Sequence, residues 1–367
     1  MTLFHLIFVE FLVKLHIPHW IIHILWLLIN FVVIAIFMLL VVIVLVLFER
    51  KYLAFFTRRK GPNRVGFCGC FQTVADAIKL LFKENITPNK VDIIPYYIAP
   101  LLVFAPIMAI WFLIPFSPEL TPIESDCSIL IFMGLLSLPI AGMLIAGYSS
   151  GNKYSLIGGI RACIQAISSE IPIFIVIASI ILLSNSMNLA DIVKLQQGCV
   201  INWNIFPSIL GFIIFFICSL IIMNRIPFDF PEAESELVAG YNSEYSGMKF
   251  AMFFLGEYAL TFIFSAFIAT LFLGGYNAPY NLYLTNLFDL PVIWSELFKN
   301  IEQFIWFNIK TGFIILLIMW IRATYPRLRT DKTLDFCWQI LIPLSVFNLL
   351  IVCLIKYVRG ILWKIAL

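Results

Sequence analysis

The run WIIHILWLLINFVVIAIFMLLVVIVLVLF fills residues 20–48, and ERKYLAFFTRRKGPNRVG follows at once over 49–66. A helix needs about 20 apolar residues to cross a bilayer, and its backbone must bond internally because no water is available there. This run exceeds that length, so it predicts a membrane span long enough to tilt or protrude. The sudden change to Glu49, Arg50 and Lys51, then Arg58, Arg59 and Lys60, marks the edge of the apolar slab.

The pattern recurs along the chain. Eight spans are expected, at about 20–48, 93–114, 128–148, 158–184, 206–223, 250–273, 303–321 and 338–358. Composition agrees: 62% of the 367 residues are hydrophobic and 12% charged, against about 25% charged in soluble domains. The expected fold is an all-α polytopic membrane protein, a single integral membrane domain over 1–367, in contact with membrane lipids. Residues 1–19 read as an interfacial helix or a loose arm. A net charge of +3 without a basic stripe gives no ground for a nucleic-acid partner.

Loops alternate in charge. The stretches 49–92, 149–157, 224–249 and 322–337, with Arg161 just inside the fourth span, hold 17 of the 24 basic residues. The positive-inside rule places these four loops on the cytoplasmic or matrix side. Within 49–92, Phe71, Val74, Ala75, Ile78 and Phe82 form one apolar stripe of an amphipathic helix. Such a helix either rests on the membrane surface or makes a platform for a soluble partner.

The same basic face carries RIPFDFPEAESELVAGYNSEY, 225–245, with Asp229, Glu232, Glu234, Glu236 and Glu244. Glu232 and Glu236 share a helix face, and close carboxylates cannot all ionise cheaply. The stretch is either a proton store or a solvated acidic loop, and the apolar residues threaded through it argue for partial burial. Two further acids, Glu170 and Glu257, fall inside spans, where a charge costs roughly 2.5–3.5 kcal/mol on insertion scales. They either handle protons or, neutral, tie helices together. Gln165, Ser168 and Ser169 near Glu170, and Tyr258 beside Glu257, are candidates for a hydrogen-bonded path.

Cofactor signals are lacking. The eight cysteines contain one CxC (Cys68, Cys70) and no CxxC, so neither an iron–sulfur nor a zinc site is expected. His16, His19 and His23 are spaced i, i+3, i+7, but Pro18 interrupts them, and no metal site is expected there. No nucleotide-binding or hydrolase motif is present.

Four stretches taken together resemble subunit 1 of respiratory complex I, the proton-pumping NADH:quinone oxidoreductase, whose bacterial counterpart is called the H subunit. They are 49–66 with QTVADAIKLLFKE (72–84), SSGNKYSLIGGIRACIQAISSE (149–170), NRIPFDFPEAESELVAGYNSEYSGMKFAMFFLGEY (224–258) and IRATYPRLRTDKTLDFCWQILIP (321–343). The resemblance implies the membrane heel of that enzyme: most of a chamber for ubiquinone, the start of an acidic proton path, and no redox centre in this chain. It implies neighbours: the quinone-site subunits of the hydrophilic arm and small membrane subunits. By matching position, Glu49, Arg50, Arg59 and Asp76 line the chamber or its mouth. Arg225 and Asp229 lie beneath it, and Phe250, Phe254 and Tyr258 supply its aromatic wall. Glu170, Glu232 and Glu257 match acids of the path, and Glu234, Glu236 and Glu244 are expected to join them. Arg322, Arg327 and Arg329 brace the hydrophilic partners. One departure is Ile222 in IIMNR, where the family usually has an acid. Abundant Ile, Phe, Leu, Lys and Asn suit an organellar genome, hence the mitochondrial inner membrane, or the plasma membrane of a bacterium. Other classes that intramembrane acids allow are a stand-alone proton or cation transporter and the membrane anchor of an energy-converting hydrogenase.

Overall fold

The structure, a computed structural model, describes residues 18–365 apart from 124, 232–237 and 282–291. The expected N-terminal arm up to residue 17 and the acids Glu232, Glu234 and Glu236 lie outside the described residues, as do His16 and the side chains of His19 and His23.

The described chain is helical. Eleven helices are used here: α1 (His19–Phe56), α2 (Gln72–Phe82), α3 (Ile93–Trp111), α4 (Ser128–Ser149), α5 (Lys153–Ser184), α6 (Leu189–Leu195), α7 (Ile209–Ile222), α8 (Gly247–Phe272), α9 (Val292–Thr324), α10 (Thr330–Asp335) and α11 (Ile342–Ile365). Seven helical runs among the described residues are long and apolar enough to cross a membrane: α1, α3, α4, α5, α8, α9 and the continuous α10–α11 run. The chain is therefore a multi-pass membrane protein. All four basic loops fall at one end of the bundle, called here the inner end.

The eighth expected span is shorter than its hydropathy suggests. α7 has 14 residues, about 21 Å of helix against a hydrocarbon slab of about 30 Å. The apolar residues before it do not join the helix because the chain doubles back there. Asn204 N bonds to Gln196 Oε1, and Ile205 N to the Phe272 carbonyl. The last span also differs: a π-helical turn over Phe336–Leu341 precedes α11. Pro343, with no N–H to give to the preceding turn, follows directly, and the wider turn accommodates it.

α1 runs eight residues past its hydropathy edge. Its buried positions Asn30, Ile34, Met38, Val42, Leu45, Val46 and Glu49 recur at three- and four-residue steps, one stripe of a helix whose other faces meet lipid. Glu49 therefore sits on the packed face of a helix, not in a loop. α8 is the central helix, touching α1, α2, α3, α6, α7 and α9. From Tyr258 to Phe272 every residue of it is buried. Trp111 stacks on Phe262 at 4.5 Å between ring centres and Phe132 on Phe267 at 3.7 Å.

Small residues set the closest approaches. A Cβ on Gly69, whose φ is +76°, would lie 2.1 Å from the Pro62 carbonyl oxygen, so the GPNRVGFCG turn needs glycine there. A Cβ on Gly158 of α5 would meet the backbone of Gly240 at 2.8 Å and of Tyr241 at 2.9 Å. Gly158 thus lets the 239–242 segment lie directly on α5. The α2 stripe also has a definite direction. Phe71, Ile78 and Phe82 are exposed, whereas Thr73, Asp76, Ala77 and Leu80 turn toward α1 and α8. Its apolar face is free to meet lipid or another polypeptide.

Replacing Gly158 by Val is expected to push the 239–242 segment off α5 and to cost about 1–3 kcal/mol, the range for an overpacked core. A lower melting temperature of the detergent-purified protein checks this; an unchanged one contradicts it.

Candidate functional site

A buried carboxylate organises the inner end. Glu49, 5% exposed, accepts a hydrogen bond from Arg322 at the end of α9. On its other oxygen it faces Arg225 Nη1 at 3.5 Å. Arg225 follows α7 and is itself buried, with its guanidinium 4.3 Å from the centre of the Tyr258 ring. Burial works against the charge of Arg225. The carboxylate of Glu49, then Tyr258 and Glu257, outweigh it and hold the guanidinium above its ordinary pKa. Arg225 is thus a permanent cation. Tyr258 is a hydrogen-bond partner of the guanidinium, whose Nε and Nη2 are buried.

Arg225 is one wall of a cavity of about 330 Å³. Phe250, Phe254, Glu257 and Tyr258 line it from α8, Arg322 and Arg327 from the end of α9 and beyond, and Asp229 and Asn242 from the loop between α7 and α8. The α8 residues reach one cavity because 250, 254, 257 and 258 repeat at helical spacing. Arg327 Nη2 lies 3.1 Å from Asp229 Oδ2. Tyr241 donates to Glu257 at 3.2 Å.

A second cavity, about 280 Å³, lies between α1, α2 and α8. Leu39, Val42, Val46, Leu80, Leu81 and Leu255 make it apolar, and Arg50 and Asp76 stand at its rim. Arg50 Nη1 is 2.6 Å from Asp76 Oδ2, and Gln72 supports the same carboxylate at 3.3 Å. Phe254 borders both cavities. An apolar slot beside the membrane and a charged chamber therefore meet at one aromatic side chain.

Other expected residues go elsewhere. Arg59 is exposed on the turn after α1. Arg329 is exposed and pairs with Asp331 at 3.3 Å. Glu244 accepts from Asn152 Nδ2 at 2.8 Å, and its carbonyl accepts from Tyr96 at 2.8 Å. Beside it Tyr245 stacks on Tyr96 at 4.4 Å, and burial pushes the Tyr245 phenol up to about 12 despite a hydrogen bond with Ser149. Glu170 is buried on α5, and its Oε1 has no hydrogen-bond partner among the described residues.

The polar neighbours expected to serve Glu170 turn away from it. Gln165 donates to the carbonyls of Ile221 and Phe228 at 3.0 and 2.8 Å. Ser168 and Ser169 bond back to their own helix, and Trp338 donates to Ser168. Five residues along a helix turn the side chain by about 140°, so Gln165 and Glu170 leave α5 on different sides. Tyr241, Asn152 and Gln165 thus fix the acidic loop through contacts that only folding creates. The one signal for them in the sequence is that they are polar residues inside or beside apolar runs. Ile222 is buried in the apolar core and supplies no carboxylate.

A family described as NADH dehydrogenase matches residues 29–353. The H subunit of the NADH-quinone oxidoreductase of Brevibacillus brevis is 42% identical over 314 residues, covering 85% of this chain and 88% of that protein. The chain belongs to the family of complex I subunit 1 and its bacterial H-subunit counterparts. Within this family member no three His, Cys, Asp or Glu side chains come together to hold a metal ion, among the described residues. The two cavities thus lie in a chain of that family and are built from its own arginines, acids and aromatics.

Glu49→Gln is expected to strip two arginines of their shared counter-charge. Breaking a buried ion pair costs about 3–5 kcal/mol, whereas Arg50→Ala removes a half-exposed pair worth about 0–1 kcal/mol. Thermal unfolding of the two variants checks the order, and a larger loss for Arg50→Ala overturns it.

Proposed function

We propose that this chain is the membrane-arm heel subunit of a proton-translocating NADH:ubiquinone oxidoreductase, forming the membrane side of its quinone chamber and the first part of the proton path. The observation that carries this is the meeting of an apolar slot and a charged chamber at Phe254. A ubiquinone has a long apolar tail and a polar head. The slot lined by Leu39, Val42, Leu80 and Leu255 suits the tail, and the chamber holding Arg225 suits the oxygens of the head. Arg225 and Arg322, both lining that chamber, supply the positive charge that attracts such oxygens. Arg50 and Asp76, paired at the rim, mark the depth at which the head leaves the apolar layer.

The chamber faces the basic end of the bundle, where the subunits that hold the redox centres of the hydrophilic arm would cover it. Arg322 and Arg327 stand there, with Arg329 and Arg59 exposed beyond them for docking. The apolar face of α2 gives that arm, or lipid, a second contact. The electrons come from those partners; this chain positions the quinone and manages charge around it.

Reducing a quinone to a quinol consumes electrons and protons, so the field in the chamber changes at each turnover. Asp229 and Glu257 border the chamber, with Tyr241 donating to Glu257. Glu170, buried on α5, extends the acidic path, joined by Glu244 and by Glu232, Glu234 and Glu236 of the loop. A pKa change of about two units is worth about 2.7 kcal/mol, close to the roughly 2.3 kcal/mol of moving one charge through 100 mV. Charge changes of ordinary size in this chamber are thus large enough to drive proton movement. The organellar composition favours the mitochondrial inner membrane as the location.

Copurification with flavin and iron–sulfur subunits tests the assembly, and a chain that purifies alone and transports protons by itself overturns it. Ala77→Phe in the slot is expected to obstruct the tail. Overpacking of about 1–3 kcal/mol, at tenfold per 1.4 kcal/mol, raises the apparent KM for long-tailed quinones by about five- to a hundredfold. Short-tailed analogues should change little, and an equal effect on both contradicts the tail assignment. Glu170→Gln is expected to lower quinone reductase turnover and proton pumping together in an assembled enzyme; normal pumping removes Glu170 from the path.

A further inference from the structure

The outer end of α8, opposite the chamber, is capped by side chains from distant parts of the chain. Gln196 Nε2 donates to the Thr270 carbonyl at 3.0 Å and Asn204 Nδ2 to that of Leu271 at 3.0 Å. Beyond them Lys310 enters from α9. Its Nζ donates to the carbonyls of Leu273, Gly275 and Asn277 at 2.6, 2.9 and 2.6 Å. A neutral amine has two N–H donors and an ammonium three, so this geometry is that of the cation. The Trp203 ring, 4.4 Å away, adds a cation–π contact.

The place of this charge matters. Lys310 is only 8% exposed. It stands 12 residues before Arg322, about 18 Å along α9, and Leu273 lies about 24 Å beyond Glu257 along α8. Lys310 is therefore far from the chamber, between it and the outer surface. The C-terminal end of a helix carries roughly half a negative charge, less than the full positive charge brought to it. Among the described residues its direct partners are carbonyls and a ring, and the helix-end dipole offsets only part of its charge. The three carbonyls occupy all its N–H bonds, which suits a fixed charge and not a carrier that must release a proton.

We propose that Lys310 is an electrostatic plug: a fixed cation that bars protons and other cations from leaking outward along the α8–α9 seam. Buried cations at constrictions exclude protons in channels by the same physics. Lys310 is in this sense a positioning residue for the field and touches no substrate. The inference rests on the reading that the assembly works in an energised, proton-tight membrane. It is therefore tested without turnover, so that its failure is separate from failure of the quinone assignment.

The assembled enzyme is reconstituted in liposomes enclosing a pH-sensitive dye, and the decay of an imposed pH gradient is followed in the absence of NADH and quinone. Lys310→Gln is expected to speed that decay several-fold over the wild-type enzyme, with uncoupled quinone reductase activity retained within about twofold. Lys310→Arg, whose guanidinium keeps the charge, is expected to restore a tight membrane. A Lys310→Gln enzyme as tight as wild type overturns the proposal. Where Lys310→Gln does not assemble, Lys310→Arg decides. A tight, pumping Lys310→Arg enzyme supports a fixed charge. One that leaks, or that transfers electrons without pumping, overturns it, the second outcome making Lys310 a proton carrier.

Discussion

The shared carboxylate of Glu49 is the constraint on which the inner end depends. Taking an ion out of water costs several kcal/mol, and the pair repays this only when geometry and further contacts are good. Here one carboxylate serves two arginines from different parts of the chain, Arg225 after α7 and Arg322 at the end of α9. Because Glu49 belongs to the packed stripe of α1, the three segments are fixed against one another. Arg225 is then held flat against Tyr258 of the central helix. The chamber wall is a consequence of this one charge arrangement. Around it Arg225 and Arg322 share Glu49, and Arg327 pairs with Asp229.

α8 divides the molecule into two electrostatic regimes. Its inner turns carry Phe250, Phe254, Glu257 and Tyr258 to the chamber. Its outer turns, Tyr258 to Phe272, are wholly buried among apolar and aromatic side chains. Its outer carbonyls are taken up by Gln196, Asn204 and Lys310. One helix thus presents a responsive polar end and a sealed one. A backbone that had to satisfy those carbonyls with water would put a wet pore at that end.

Seven of the eight expected spans, the amphipathic α2 and the common face of the basic loops are legible in the sequence because hydropathy and charge alternation act locally. Hydropathy puts Glu49 in a loop, and the helix that buries it continues because its packed stripe extends past Phe48; its pairing with Arg225 and Arg322 joins distant segments and is not legible in the sequence. α7 was over-read, since an apolar run does not reveal that Asn204 and Ile205 bond to the end of α8. Gln165 was read as a neighbour of Glu170 from closeness in sequence, and helical phase separates them. The contacts of Tyr241, Asn152 and Lys310 join positions far apart in the chain, and no spacing rule reports such pairs. The motif groups Arg59 with the chamber, whereas it is exposed on the turn after α1; Arg329, which the motif groups with the docking arginines, is exposed and pairs with Asp331.

The division of α8 also bears on where a proton can go. Outward of Glu257 the helix is packed with Phe262, Phe264, Phe267 and Phe272, all buried. The hydroxyls of that stretch, Thr261, Ser265 and Thr270, donate back to carbonyls of α8 itself. The charged side chains of α8, Lys249 and Glu257, thus lie toward its inner end, where Glu257 accepts from Tyr241. Ile222, buried in the apolar core, adds no carboxylate beside them. For the proton path proposed above, packed rings and hydroxyls bonded within the helix suit a lateral course through the acids better than a straight one along α8.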